Sequence, residues 1–269
     1  MIEDLIQSVL KAGEKILEIY HSADFGVEKK KDDSPLTRAD LASHRELVKY
    51  LETTGIPIIS EEGKIPAYEI RKNYKQYWLI DPLDGTKEFI KKNDEFTVNV
   101  ALIENQEPIL GVVYAPVLRH LYYGEKNKGA FKRTQQPNNP QPQQPNNLTT
   151  YKPNNPQTQK QITTSKPKNK LIIVASRSHN NKETEDYIAQ VAKNFETVEI
   201  ISKGSSLKLV EVAEGKAHIY PRFGPTMEWD TAAAHAVVLA AGGSVTQANG
   251  EELVYTKEEV LNPFFIVKG

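Results

Sequence analysis

Asp81-Pro82-Leu83-Asp84-Gly85-Thr86 stands directly after Tyr77-Trp78-Leu79-Ile80. The preceding run is apolar enough for a buried strand, so two acids arrive where that strand gives out. Pro82 stiffens the backbone between them, and Gly85 lets the chain turn sharply or approach a ligand closely. Thr86 is then placed to cap a short helical turn, Lys87-Glu88-Phe89-Ile90, whose free N–H groups face outward. Two hard oxygen donors beside an anion-binding backbone suit magnesium-assisted attack on a phosphate. Taken alone, the hexapeptide also fits an ordinary polar turn, and only the rest of the chain decides.

Working outward, Leu5, Val9, Ile16 and Tyr20 fall at helical spacing, with Ile6, Leu10 and Leu17 broadening the stripe. A second helix starts near Thr37, carries Leu41, Val48 and Leu51 inward and ends before Gly55. Ile56-Pro57-Ile58-Ile59-Ser60 reads as a strand delivering Glu61-Glu62 at its end. Residues 97–103 and 108–115 read as strands joined by the Glu104-Asn105-Gln106-Glu107 turn, and residues 121–124 and 129–132 continue that antiparallel pattern. From Gln135 to about Lys168 the chain is Pro, Asn, Gln and Thr, and Gln136-Pro137-Asn138-Asn139-Pro140-Gln141 nearly recurs as Lys152-Pro153-Asn154-Asn155-Pro156-Gln157. Such a tract buries too little surface to offset its ordering entropy, so a disordered surface insertion is expected over residues 135–168. A Pro-rich docking site is the functional alternative. Beyond it, strands at residues 171–175, 198–201 and 217–220 alternate with helices over residues 182–194, from Ser205 to Gly215, and from Trp229 to Gly242-Gly243. Alternation on both sides of the tract predicts one layered α/β body, with an N-terminal lobe over 1–134 and a C-terminal lobe over 169–269.

Composition narrows the chemistry further. The 269 residues suffice for one large domain or two lobes sharing a core, and a formal charge of −1 gives no electrostatic case for nucleic-acid binding. The absence of cysteine excludes disulfides, thiolate metal sites and thiol nucleophiles, and fits a reducing compartment. No apolar run approaches membrane-spanning length, and Met1-Ile2-Glu3-Asp4-Leu5 opens with acids rather than a basic leader. A cytoplasmic protein is the default, with peripheral association at the inner membrane left open. The six histidines lack paired spacing, which disfavours zinc. Neither a Gly-x-Ser-x-Gly elbow nor a Gly-x-x-x-x-Gly-Lys loop is present, and the acids do not alternate as in a calcium loop.

Single acids mean little; their placement means more. Glu61 ends one strand, Asp81 and Asp84 follow another, and Asp230 sits in the first turn of a nearly all-apolar helix. Helix capping alone would explain Asp230. Yet Ala232, Ala233 and Ala234 allow that helix end to pack closely, and clustered carboxylates repel unless a cation intervenes. Metal ligation is therefore favoured.

At this point the pattern resembles a known family. Asp33-Ser34-Pro35-Leu36-Thr37-Arg38-Ala39-Asp40, Ser60-Glu61-Glu62, Asp81 to Thr86, and Trp229-Asp230-Thr231-Ala232-Ala233 are similar to the four signature blocks of the magnesium-dependent, lithium-sensitive phosphomonoesterases. That superfamily includes inositol monophosphatases, fructose bisphosphatases and bisphosphate nucleotidases. Lys87-Glu88-Phe89-Ile90, Ser176-Arg177-Ser178-His179, Gly204-Ser205-Ser206-Leu207-Lys208 and Tyr220-Pro221-Arg222-Phe223 resemble the 3′(2′),5′-bisphosphate nucleotidase branch, while Ala234, where relatives often carry glycine, and the long tract depart from it.

The resemblance implies an α-β-α-β-α sandwich of the sugar-phosphatase type with two or three magnesium ions per site. Glu61, Asp81 and the Leu83 carbonyl would hold the first; Asp81, Asp84 and Asp230 the second; Glu61 would also contact a third. Thr86, hydrogen-bonded to Asp40, would orient and help deprotonate the attacking water. Substrate contacts are implied for Glu61, Leu83, Asp84, Gly85, Thr86, His179, Ser205, Lys208, Arg222 and Asp230. The implied substrate is 3′-phosphoadenosine 5′-phosphate, cleaved to AMP and phosphate in sulfate assimilation and nucleotide recycling, by a monomer or homodimer with no nucleic-acid partner. An inositol monophosphatase and an idle binding protein retaining the fold remain as alternatives.

Overall fold

Ile2–Tyr20 forms α1, and its stripe of Leu5, Ile6, Val9, Ile16 and Tyr20 is buried as the spacing predicts. The computed structural model describes residues 2–22, 24–29, 35–135, 158–177 and 181–269. A short antiparallel pair, β1 (Glu28–Lys29) and β2 (Pro35–Leu36), leads into α2 (Arg38–Leu51). Thr37 caps α2: its hydroxyl accepts the Ala39 N–H, and Asp40 accepts the Thr37 N–H in return. That box corrects the expected inward face. Leu41 is exposed and Val48 only half-buried, while Ala39, Asp40, Ser43, Leu47 and Leu51 point inside.

The chain continues through β3 (Ile58–Ser60), α3 (Tyr68–Arg71), β4 (Gln76–Asp84), α4 (Thr86–Ile90), β5 (Thr97–Glu104), β6 (Glu107–Ala115), β7 (His120–Glu125), β8 (Gly129–Thr134) and β9 (Thr158–Ile162). These strands form one seven-stranded sheet in sequence order, with β3 parallel to β4 and the remaining pairs antiparallel. Alternation divides its side chains. Trp78, Ile80, Val98, Val100 and Val112 pack with α1 and α2, while Tyr77, Leu79, Ala101, Ile103 and Val113 enter the opposite core.

The second half supplies β10 (Lys170–Ser176), α5 (Lys182–Ala192), β11 (Thr197–Lys203), α6 (Leu207–Ala213), β12 (Ile219–Arg222), α7 (Glu228–Ala240), β13 (Ser244–Gln247) and β14 (Phe265–Lys268). Its five-stranded sheet runs β11-β10-β12-β14-β13. Helices α6 and α7 fill the space between the two sheets, and α5 covers the outer face of the second through Ile188, Leu171, Ile173 and Ile219. The layers are therefore α-β-α-β-α, with one core shared by both halves of the chain. Close packing explains the alanines of α7. A Cβ on Gly111 would lie 2.0 Å from the Ala233 carbonyl oxygen, and one on Gly124 2.8 Å from the Val237 Cα. The helix thus rests directly on the sheet and carries Asp230 to the end of β4. Among the described residues no helix is long and apolar enough to cross a membrane.

Two expectations need correction. The strand before the key hexapeptide does not stop at Ile80; β4 runs on to Asp84 through a register shift between Asp81 and Asp84. Pro82 has no N–H to give the ladder, so the strand bulges there rather than ending. The low-complexity tract is also shorter than expected. Residues 136–157 lie outside the described residues, but Thr158–Ile162 pairs along β8, Ile162 is buried, and the Thr164 N–H bonds to the Ala241 carbonyl. An edge strand needs only one inward anchor, because backbone bonds supply the rest; polar composition did not exclude it. Thr134 and Thr158 are ladder partners. Replacing residues 135–157 with Asn-Gly should therefore close a two-residue hairpin, leaving kcat/KM within about twofold and Tm undiminished. A folded variant with about tenfold weaker activity would give the tract a role in catalysis.

Candidate active site

Because β3 and β4 run parallel, with Ser60 opposite Ile80, their ends bring Glu61 beside Asp81. The bulge then sets Asp84 on the same rim, and the first turn of α7 brings Asp230 across it. Electrostatics reports the convergence. Burial, then Glu61, Asp84 and Asp230, push the Asp81 carboxyl far above the ordinary carboxylate range. Burial pushes Asp84 up to about 6 against the relief given by Lys208 and the Ser206 N–H, and Glu61 and Glu88 add to the rise. Burial, Asp84 and Glu61 push Asp230 up to about 8. Asp81 also shares a hydrogen bond with Glu61 that raises it further.

The four acids named from sequence thus act on one another. They do not form a closed cage, however. Among the described residues no group of three or more acidic or histidine side chains stands ready to enclose an ion. Three of the carboxylates are partly occupied by backbone instead: Asp81 accepts the Leu83 N–H at 3.0 Å, Asp84 the Ser206 N–H at 2.5 Å, and Asp230 the Met227 N–H at 2.8 Å. Capping and clustering are both true of Asp230. Such a donor set fits a divalent cation chemically, since four mutually repelling carboxylates, Asp81 buried and the others half-buried, are what a hard cation neutralises.

Thr86 is the first residue of α4 rather than its cap; that position belongs to Gly85, at φ +94°. A side chain on Gly85 would meet the Glu95 carbonyl oxygen at 3.2 Å and the Ser205 Cβ at 3.3 Å in a backbone region that disfavours one. Released from capping, the Thr86 hydroxyl can donate to Asp40 Oδ1, 3.2 Å away, or to the Leu83 carbonyl at 3.3 Å. Asp40 is buried, and its other oxygen accepts the Thr37 N–H at 2.8 Å and hydroxyl at 2.6 Å. The helix cap of α2 therefore fixes the carboxylate that faces Thr86.

A cleft of ≈ 270 Å³ opens beside these groups, lined by Glu61, Asp84, Thr86 and Asp230 together with Ser205, Lys208 and Arg222. Lys208 is buried; burial pushes its ammonium down to about 8 while Asp84 opposes the fall. It donates to the Ser205 carbonyl and lies 5.7 Å from the Tyr220 ring centroid. Arg222 is also buried. One of its nitrogens donates to the Pro225 carbonyl at 2.8 Å, but Nε and Nη1 find no acceptor among the described residues. A buried cation with unmet donors is costly unless an anion completes it. His179 lies outside the described residues. Sequence reasoning missed Glu88, Arg177, Tyr220 and Thr226 on the cleft wall, and Thr97, Asn99 and Ser206 behind Asp84. Asn99 did leave a signal, a polar residue amid the apolar run Val98 to Ile103.

The inositol monophosphatase family matches residues 1–263. The chain is 44% identical to the 3′(2′),5′-bisphosphate nucleotidase CysQ of Salmonella typhimurium and 42% identical to that of Escherichia coli K12, each alignment covering 99% of both chains. Among solved structures, it is similar to CysQ from Bacteroides thetaiotaomicron, described as a bacterial member of the inositol monophosphatase family, at 45% identity and a TM-score of 0.83, over 98% of this chain and 95% of that one. An inositol monophosphatase from Thermotoga maritima shares the fold at 24% identity and a TM-score of 0.74, over 99% of this chain and 91% of that one.

Proposed function

The chain belongs to the inositol monophosphatase family, and from that premise we propose that its cleft hydrolyses the 3′-phosphate of 3′-phosphoadenosine 5′-phosphate to give AMP and phosphate. One observation carries the choice of substrate. Lys208 and Arg222 are two buried cations lining the same cleft as the acids, and among the described residues two Arg222 nitrogens have no acceptor. A monophosphate ester would use the acidic side alone and leave those donors unmet. A 5′-phosphate completes them and anchors the reacting ester at a distance.

In this reading Glu61, Asp81, the Leu83 carbonyl, Asp84 and Asp230 hold magnesium, two or three ions per site. Magnesium held there supplies Lewis-acid charge at the phosphoryl oxygens and lowers the pKa of nearby water. The chain's own residues do the rest. Asp40, pinned by Thr37, takes the Thr86 hydroxyl proton while Thr86 takes one from the attacking water. The new O–P bond forms as the P–O3′ bond breaks, and the departing oxygen leaves as the nucleoside 3′-hydroxyl once protonated. Gly85 lets the backbone approach the phosphate where a side chain would strike residues 95 and 205. A cytoplasmic location and a monomeric or homodimeric state belong to the same proposal.

Phosphate release from 3′-phosphoadenosine 5′-phosphate and from inositol 1-phosphate, at equal magnesium, tests the reading. The bisphosphate should be favoured in kcat/KM by about 10²-fold or more. Preference for the inositol ester would overturn the substrate assignment.

A further inference from the structure

Three buried polar side chains stand behind the acids without a task in the reaction: Thr97, Asn99 and Ser206. Their hydrogens can be counted. The Ser206 hydroxyl lies 2.8 Å from Asn99 Oδ1, an atom that can only accept, so Ser206 spends its one proton there. The Thr97 hydroxyl, 2.8 Å from Ser206 Oγ, is then the donor of that pair, and it also lies 3.5 Å from Asp84 Oδ2. Asn99 in turn directs its amide Nδ2 at Asp84 Oδ2, 3.4 Å away, and the Ser206 main-chain N–H reaches the same oxygen at 2.5 Å. The chain of donors is directional and ends on one carboxylate oxygen.

Ser206 also belongs to the turn that lines the cleft. Ser205 holds φ +44°, a left-handed conformation uncommon for a non-glycine residue. It is pinned on both sides by carboxylates from the other half of the chain: the Gly204 N–H donates to Glu95 Oε2 at 2.8 Å, and the Ser206 N–H to Asp84. One residue therefore touches the acid rim through its amide and braces it through its hydroxyl, while adjoining the substrate wall.

We propose that Ser206, braced by Thr97 and Asn99, is the positioning residue that sets the orientation of Asp84 for divalent-cation binding. The proposal rests on reading the acid rim as a metal site. The side-chain and amide contacts of Ser206 are to Thr97, Asn99 and Asp84, so it acts through Asp84, in the manner of outer-shell donors that orient ligating carboxylates.

The test uses full-length protein stripped with EDTA and titrated calorimetrically with magnesium chloride alone, without nucleotide. Ser206→Ala keeps the main-chain N–H and removes the brace. It should weaken magnesium binding about tenfold, lower kcat at fixed magnesium by a similar factor, and leave KM for the bisphosphate within about twofold. Thr97→Ser, which retains the hydroxyl, should behave as wild type, and Thr97→Val should fall between. Unchanged magnesium affinity in Ser206→Ala would overturn the proposal, as would a rise in KM without one in the metal constant. Should Ser206→Ala fail to fold, the Thr97→Val and Thr97→Ser pair decides alone, because equal magnesium affinities in both would also refute the brace. Failure of the substrate assignment is separable: it shows as no phosphate from the bisphosphate with wild-type protein, whereas these titrations contain no substrate.

Discussion

Asp84→Asn should lower turnover by about 10³-fold or more while the protein folds as well as wild type or better. Turnover falls because a neutral amide gives up the anionic charge a hard cation needs. Stability does not fall, because Asp84 is a half-buried acid among acids, pushed up to about 6. A carboxyl whose folded pKa lies above its unfolded value contributes stability in full at low pH and loses it as pH rises through the folded value. For Asp84 that loss begins in the ordinary carboxylate range and is complete by about pH 6, and for Asp230 by about pH 8. In EDTA, wild-type Tm should therefore decline as pH climbs from about 5 to about 8, and magnesium should restore it. Asp84→Asn removes one of the raised carboxyls and its repulsion of Asp81 and Asp230, so its decline should be shallower and its magnesium response smaller. Circular-dichroism melts across that range, with and without magnesium, read both effects. A variant with near-normal turnover, or with the full wild-type magnesium response, would remove Asp84 from the site.

That expectation was legible in the chain before any coordinates, for a physical reason. Strands that end in acids announce themselves, because a hydrophobic run fixes where the backbone is buried and the polar residue after it fixes where burial stops. Glu61 follows this rule at the end of β3, whereas Asp81 stays buried inside β4 and Asp230 was marked instead by being the acid in the first turn of an apolar helix; the structure sets all three on one rim. The layered fold was readable the same way, from alternating periods of two and of about 3.6 residues on both sides of the tract. What stayed hidden depends on pairing. Whether β4 ends at Ile80 or bulges through Pro82 depends on its partner β5, where Asp84 meets Thr97 across the shift. Whether Thr158–Ile162 is coil or strand depends on the open edge of β8. The outward turn of Leu41 follows from the capping box at Thr37, which buries Asp40 instead. The Thr97, Asn99 and Ser206 brace joins residues more than a hundred positions apart, and no local pattern encodes such a contact.

Arg222→Met should lower kcat/KM for 3′-phosphoadenosine 5′-phosphate by about 10²-fold, almost wholly through KM, and leave 3′-AMP nearly unaffected. The asymmetry is the point. Methionine fills a similar buried volume and deletes the two nitrogens that lack an acceptor, so the folded protein loses no satisfied bond except that to Pro225. A charge-assisted pair to a phosphate contributes about 1.5–3 kcal/mol, which converts to roughly 10- to 150-fold in binding. Only a substrate carrying the second phosphate can lose it. Lys208 cannot give so clean an answer, because its ammonium also lowers the Asp84 carboxyl and its removal reaches the acid rim. Initial rates for both nucleotides over a range of concentrations separate the possibilities. Equal losses on the two substrates would make Arg222 a structural residue of the β12 end. No loss on either would leave the 5′-phosphate without its anchor and return the choice of substrate to the acidic side alone, where a bisphosphate has no advantage over an inositol ester.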